Sequence, residues 1–152
     1  MSPKTDHIVR HYPLSLFCIL LIWVLSLTPF FPETPFDDVA FMDKWTHFIM
    51  YGGTCAVIWW ENLRFHRRKA QREFATPHFD WSKNRWEQVA KGENRWERVW
   101  AMMGMVVLGG LMELLQAYCT TTRSGEWLDF WADSVGVLIG TAIGLLMKKT
   151  LF

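Results

Sequence analysis

The chain has no strong excess of charge of either sign and no even set of cysteines. Sixteen Lys and Arg stand against fifteen Asp and Glu, a formal net charge of +1. On so apolar a chain, that balance makes no phosphate-binding surface and argues against nucleic acid as a partner. Cysteine occurs three times, as Cys18, Cys55 and Cys119. An odd number without metal spacing indicates neither a disulfide framework nor a zinc site, so the three are expected to be unpaired and no metal is assigned. Charged residues make up only 20% of the chain, against 51% apolar residues that include ten Trp and eleven Phe. The apolar residues fall in four blocks, with most charges between them. This pattern excludes a disordered chain and a soluble enzyme domain. At 152 residues, the chain suits a single domain.

The four blocks read as membrane spans, predicting an all-α, four-helix transmembrane bundle. They cover about 12–31, 42–60, 99–119 and 127–147, close to the roughly 20 apolar residues that cross a bilayer. The second, Trp45 to Trp60, is short on its own, and Phe41 and Met42 extend it. The first is read as an uncleaved anchor. Lys4 and Arg10 resemble the start of a signal peptide, but Leu25-Ser26-Leu27-Thr28-Pro29 offers no small-x-small cleavage site. With four spans, both termini lie on one side. Fourteen of the sixteen Lys and Arg fall on that side, in residues 1–12, the 61–98 loop and the tail; only Lys44 and Arg123 fall on the other. Positive residues stay inside, so both termini and the loop are expected in the cytoplasm. Within the loop, Asn84-Arg85-Trp86-Glu87-Gln88-Val89 recurs as Asn94-Arg95-Trp96-Glu97-Arg98-Val99. A basic, Trp-bearing stretch beside a span suits an interfacial helix on anionic lipid, or a docking surface for a cytoplasmic partner.

Ionisable groups inside spans are costly, roughly 2.5–3.5 kcal/mol each at a helix centre. Here they collect near the outer ends. His47, Glu113 and Asp133 are expected about 6–9 Å below the outer surface at 1.5 Å per residue, and nothing comparable is expected near the inner ends. Asp43, His47 and Tyr51 share a face of the second span at steps of four. Glu113 and Gln116 share a face of the third, and Glu126, Asp129 and Asp133 a face of the fourth. Gly136, Gly140 and Gly144 continue that last face as a small-xxx-small ridge for close helix packing. Several acids in a low-dielectric pocket require a proton or a cation, and Lys44, Arg123 and a protonated His47 oppose them.

The ordered pattern Asp43-Lys44-x-x-His47-Phe48-x-x-Tyr51, Glu113-x-x-Gln116 and Arg123-x-x-Glu126-x-x-Asp129-x-x-x-Asp133-x-x-Gly136-x-x-x-Gly140 resembles the VanZ-like family of small bacterial membrane proteins. The resemblance implies a cell-envelope setting and a link to reduced susceptibility to the glycopeptide teicoplanin, without implying a reaction. Asp133 stands where the family often has Asn, and the 61–98 loop is long for it. The leading expectation is an outward-facing pocket that binds a membrane lipid or lipid-linked envelope precursor, with Arg123 and Lys44 suited to its phosphate or carboxylate. One alternative is an intramembrane hydrolase or transferase on a lipid-linked phosphate, with His47 as general base oriented by Asp43 or Glu113. Others are a proton-coupled transporter and a purely structural bundle. No nucleophile motif and no inverted repeat is visible. The ligand, any cofactor and a homodimer are left open.

Overall fold

A computed structural model describes residues 9–27, 42–74, 95–119 and 127–151. These residues are all helical apart from Tyr12, and no strand occurs among them. Beyond a turn over residues 9–11, they form four helices: α1 (Pro13–Leu27), α2 (Met42–Phe74), α3 (Arg95–Cys119) and α4 (Trp127–Leu151). Proline opens α1, where its missing N–H removes no intrahelical bond. The fifteen residues of α1 carry no charge. Inside the helices, Thr54, Ser134 and Thr141 return their hydroxyls to the carbonyls of Met50, Phe130 and Val137, four residues back. This satisfies a polar group without a partner from another helix.

Contacts along the helices set their directions. Glu61 of α2 meets the start of α1, while Gln116 of α3 meets Ser26 near the end of α1. His47 meets both Glu113 and Asp133, and Arg98 lies over the Trp59 ring. Consecutive helices therefore run antiparallel, and α2 and α4 run parallel. Each helix contributes to one core: Ile22 from α1, Tyr51, Cys55 and Trp59 from α2, Met105 and Met112 from α3, and Val137 from α4.

The parallel pair α2 and α4 approaches most closely through glycine. A Cβ at Gly136 would meet the Phe48 carbonyl oxygen at 2.5 Å and Gly52 N at 3.1 Å. One at Gly140 would collide with the Gly52 carbonyl oxygen, and one at Gly144 with the Trp59 ring. Only hydrogen at these three positions lets the backbones come so near. Gly53 and Gly104 border open space instead, so small residues alone did not mark the contact face.

Two described helices are long and apolar enough to cross a membrane: Arg98–Cys119 and Trp127–Thr150. Their most apolar windows are 22% and 28% buried within the chain. The core helix of a soluble domain would be mostly covered. Here Val107, Leu114, Leu138 and Leu146 are each more than half exposed, as are Phe17 and Leu20 on α1. In its described part α1 is a shorter apolar helix, and residues 28–31 of the span expected there lie outside the described residues.

The helices run on past the ends of the expected second span and into the segment after it. Helix α2 does not stop at residue 60. It continues through Phe74, and α3 already begins at Arg95, so both ends of the expected 61–98 loop are helical. A helix of 33 residues is about 50 Å long at 1.5 Å per residue, well beyond an apolar layer of about 30 Å. Its first part is apolar and its last part reads Arg67-Arg68-Lys69. Hydropathy located the change of composition, not the end of the helix. Of the repeated six-residue segments, the first copy and Asn94 lie outside the described residues.

Candidate functional site

Three helices bring ionisable side chains together at one end of the bundle. His47 of α2, Glu113 of α3 and Asp133 of α4 are 4%, 8% and 0% exposed. His47 Nδ1 lies 3.0 Å from Asp133 Oδ1 and 3.9 Å from Glu113 Oε1. The first distance is a hydrogen bond; the second is a looser electrostatic contact. Tyr51, one turn along α2, lies parallel to the imidazole with ring centroids 6.5 Å apart and 4° between planes. Its hydroxyl is buried without a hydrogen-bond partner among the described residues.

Gly109 makes room for this arrangement. A Cβ there would sit 2.8 Å from Asp133 Oδ2 and 3.2 Å from its Cβ. Gly109 is four residues before Glu113, on the same face of α3. The glycine admits the Asp133 side chain, and the acid one turn later reaches the same His47. Sequence reasoning gave Gly109 no role at the site. Its phase relative to Glu113 was the available signal.

Two carboxylates and one imidazole form an acid-rich set with few routes to water. A proton on the imidazole, a proton held by a carboxylate, or a neighbouring cation would each lower the cost of burying them. One ligand atom from each of the three residues lies within 4.8 Å of the others. Imidazole nitrogen with carboxylate oxygen is a donor set that suits a divalent transition metal, although the sequence reading had assigned no metal.

Lys44 and Asp129 form a second pair one turn toward the starts of α2 and α4. Lys44 Nζ lies 3.0 Å from Asp129 Oδ1, with the Lys side chain 21% exposed and the Asp side chain 4%. This pair stands at the more open edge of the group. Gln116, one turn from Glu113 on α3, donates its amide N–H to the Ser26 carbonyl at 3.0 Å, tying α3 to α1. Asp43 lies in the first turn of α2, but its side chain is outside the described residues, as are Arg123 and Glu126 altogether. Among the described side chains, Asp133 is the carboxylate nearest His47, and Glu113, one of the two expected to orient it, lies 3.9 Å from the same nitrogen.

Polar groups are also buried at the opposite end, where none were expected. Glu61 and Asn62 of α2 are 5% and 4% exposed. Glu61 Oε1 accepts the Leu14 N–H at 3.0 Å. Oε2 accepts the Ser15 N–H at 3.0 Å and the Ser15 hydroxyl at 2.6 Å. A carboxylate from one helix thus caps the first turn of another, satisfying amides that have no intrahelical partner and meeting the positive end of the dipole. Asn62 donates to the Tyr12 hydroxyl at 2.9 Å, and His11 packs on Phe65 at 4.4 Å between ring centroids. The overlooked signal was Glu61-Asn62 directly after Trp59-Trp60, level with the start of an antiparallel first helix.

The cysteines are free. Cys55 is buried with its sulfur 3.4 Å from the Thr141 hydroxyl, and Cys119 is exposed at the end of α3. No family model, curated protein or solved structure matches this chain.

Proposed function

We propose that this chain is a VanZ-like, four-span protein of the bacterial cytoplasmic membrane whose His47 end binds a cell-envelope component in the outer leaflet. The component is a lipid-linked wall precursor or a membrane lipid, and the outcome is reduced susceptibility to glycopeptides such as teicoplanin. Two long apolar helices with mostly uncovered faces support the membrane setting. The Lys and Arg split supports cytoplasmic termini. A C-terminal reporter active only outside the membrane would overturn that orientation.

The observation that carries the binding reading is the convergence of His47, Glu113 and Asp133 from three helices, beside the Lys44–Asp129 pair. Fastening two helices takes one hydrogen bond. Burying two acids around one imidazole is a costlier arrangement, and such groups within membrane helices mark functional sites. The Lys44 ammonium at the edge is the group to meet a phosphate or carboxylate of the bound component. Glu113→Gln keeps size and removes charge. In a bacterial host, it should abolish the gain in teicoplanin tolerance while membrane level and melting temperature stay near wild type. Loss only in proportion to the folded amount would leave the cluster a helix fastener.

One observation favours a catalytic version of the same site. Asp133 holds His47 by its Nδ1, as a carboxylate does when it orients a general base. A hydrolase or transferase acting on a lipid-linked phosphate would use that imidazole. Asp133→Asn should then lower phosphate release from such a substrate far more than it lowers substrate binding.

A further inference from the structure

The end of the bundle away from His47 holds a cavity of about 500 Å³ between the start of α1 and the charged part of α2. That size falls within the roughly 300–1,000 Å³ of small-molecule sites. Its cations are Arg10 from the turn before α1 and Arg64, Arg68, Lys69 and Arg72 from α2. Positions 61, 64, 65, 68, 69 and 72 recur at three- and four-residue steps, so α2 presents them on one face.

The cavity has one carboxylate to set against these cations, that of Glu61. Both its oxygens are already engaged by the first turn of α1. Arg68, Lys69 and Arg72 form no ion pair among the described residues, and Arg64 lies over the Trp60 ring at 5.0 Å. Repelling cations gathered around a concavity are matched by an anion. Guanidinium groups supply the paired donors that phosphate oxygens accept. A tryptophan on the wall suits the level where the apolar and polar parts of a membrane meet.

We propose that this cavity is a phosphate-binding site, separate from the His47 cluster and independent of the function proposed for it. The phosphate belongs either to the head group of an anionic lipid or to a small soluble ion. In both cases Arg64, Arg68 and Arg72 take the oxygens, and Glu61 holds α1 in place as the opposite wall.

The test uses the full chain in a non-ionic detergent, titrated separately with short-chain phosphatidylglycerol and with inorganic phosphate, and read by thermal shift and native mass spectrometry. The double variant Arg68→Gln/Arg72→Gln changes two exposed side chains and leaves the Glu61 cap and the Arg64–Trp60 stack intact. Lys148→Gln/Lys149→Gln, on the last turn of α4 at the same end, removes equal charge outside the cavity. The cavity variant should weaken binding about tenfold or more, the loss expected when charge-assisted hydrogen bonds are removed, while the α4 variant keeps near-wild-type affinity. Saturation by phosphatidylglycerol alone assigns a lipid head group; saturation by inorganic phosphate as well assigns a free phosphate. Equal weakening by both variants would reduce the effect to general surface charge and overturn the site. So would an unaltered affinity in the cavity variant, or failure of both ligands to bind the wild-type chain. Arg64→Gln, made alone, repeats the test should the double variant melt early.

Discussion

The two ends of the bundle bury acids in opposite surroundings. At one end, Asp133 and Glu113 meet an imidazole from a third helix. At the other, Glu61 meets backbone and hydroxyl donors at the start of α1. Glu61 has three donors within 3.0 Å and a local structural task. At the His47 end, two carboxylates address one imidazole, and the Tyr51 hydroxyl nearby lacks a described partner. A carboxylate held by backbone amides fastens helices; ionisable groups brought together from three helices can also exchange a proton, a cation or a ligand. Burial alone does not separate the two roles, but the kind of partner does.

The largest effect should arise between the two ends, at the contact that sets their spacing. Gly140→Leu drives a side chain into the Gly52 backbone and should cost about 3 kcal/mol or more, at the upper range of overpacking. Gly104→Leu faces open space and should leave the melting temperature nearly unchanged. If the two variants melt alike, the α2–α4 contact does not govern stability.

Glu61→Ala should come next. It leaves the first amides of α1 without acceptors and should cost about 1–3 kcal/mol, the range for stranding a buried polar group. Hydrogen exchange at Leu14 and Ser15 should rise while exchange in α4 stays slow. Protection unchanged at Leu14 would mean that Glu61 is not the cap.

His47→Ala sharpens the comparison, because it strands acids and not amides. It should destabilise by about 1–3 kcal/mol. His47→Ala combined with Glu113→Gln and Asp133→Asn should recover much of that stability, since neither acid beside the vacated imidazole then carries a charge. A triple variant less stable than His47→Ala would show that the acids have support beyond His47. The smallest effect belongs to Arg64→Ala, which removes a cation over the Trp60 face and should cost about 0.5–1 kcal/mol by thermal melting.

Much of the arrangement was legible residue by residue. The step of four between His47 and Tyr51 predicted a shared face, and the two rings lie parallel. Lys44 and Asp129 were assigned to one group from different helices and form an ion pair. The glycine ridge on α4 meets Gly52 and Trp59 of α2. Gln116 was placed on the right helix, but its amide reaches α1. Helix phase gives a direction around one axis and does not say which neighbour lies there. Glu61 was passed over because it ends an apolar block, where an acid ordinarily faces water. The docking of α1 removes that water.

Helicity, the four apolar blocks, the asymmetry of positive charge and the faces that carry acid or glycine were determined by the sequence itself. All of these follow from side-chain chemistry and the 3.6-residue period, which act over a few turns. Tertiary structure alone decided that Asp133 reaches His47, that Gly109 admits Asp133, that Glu61 caps α1, and that the basic part of α2 lines a cavity. These outcomes depend on the rotation and depth of one helix against another. Packing of the whole bundle sets those variables, which no single segment encodes.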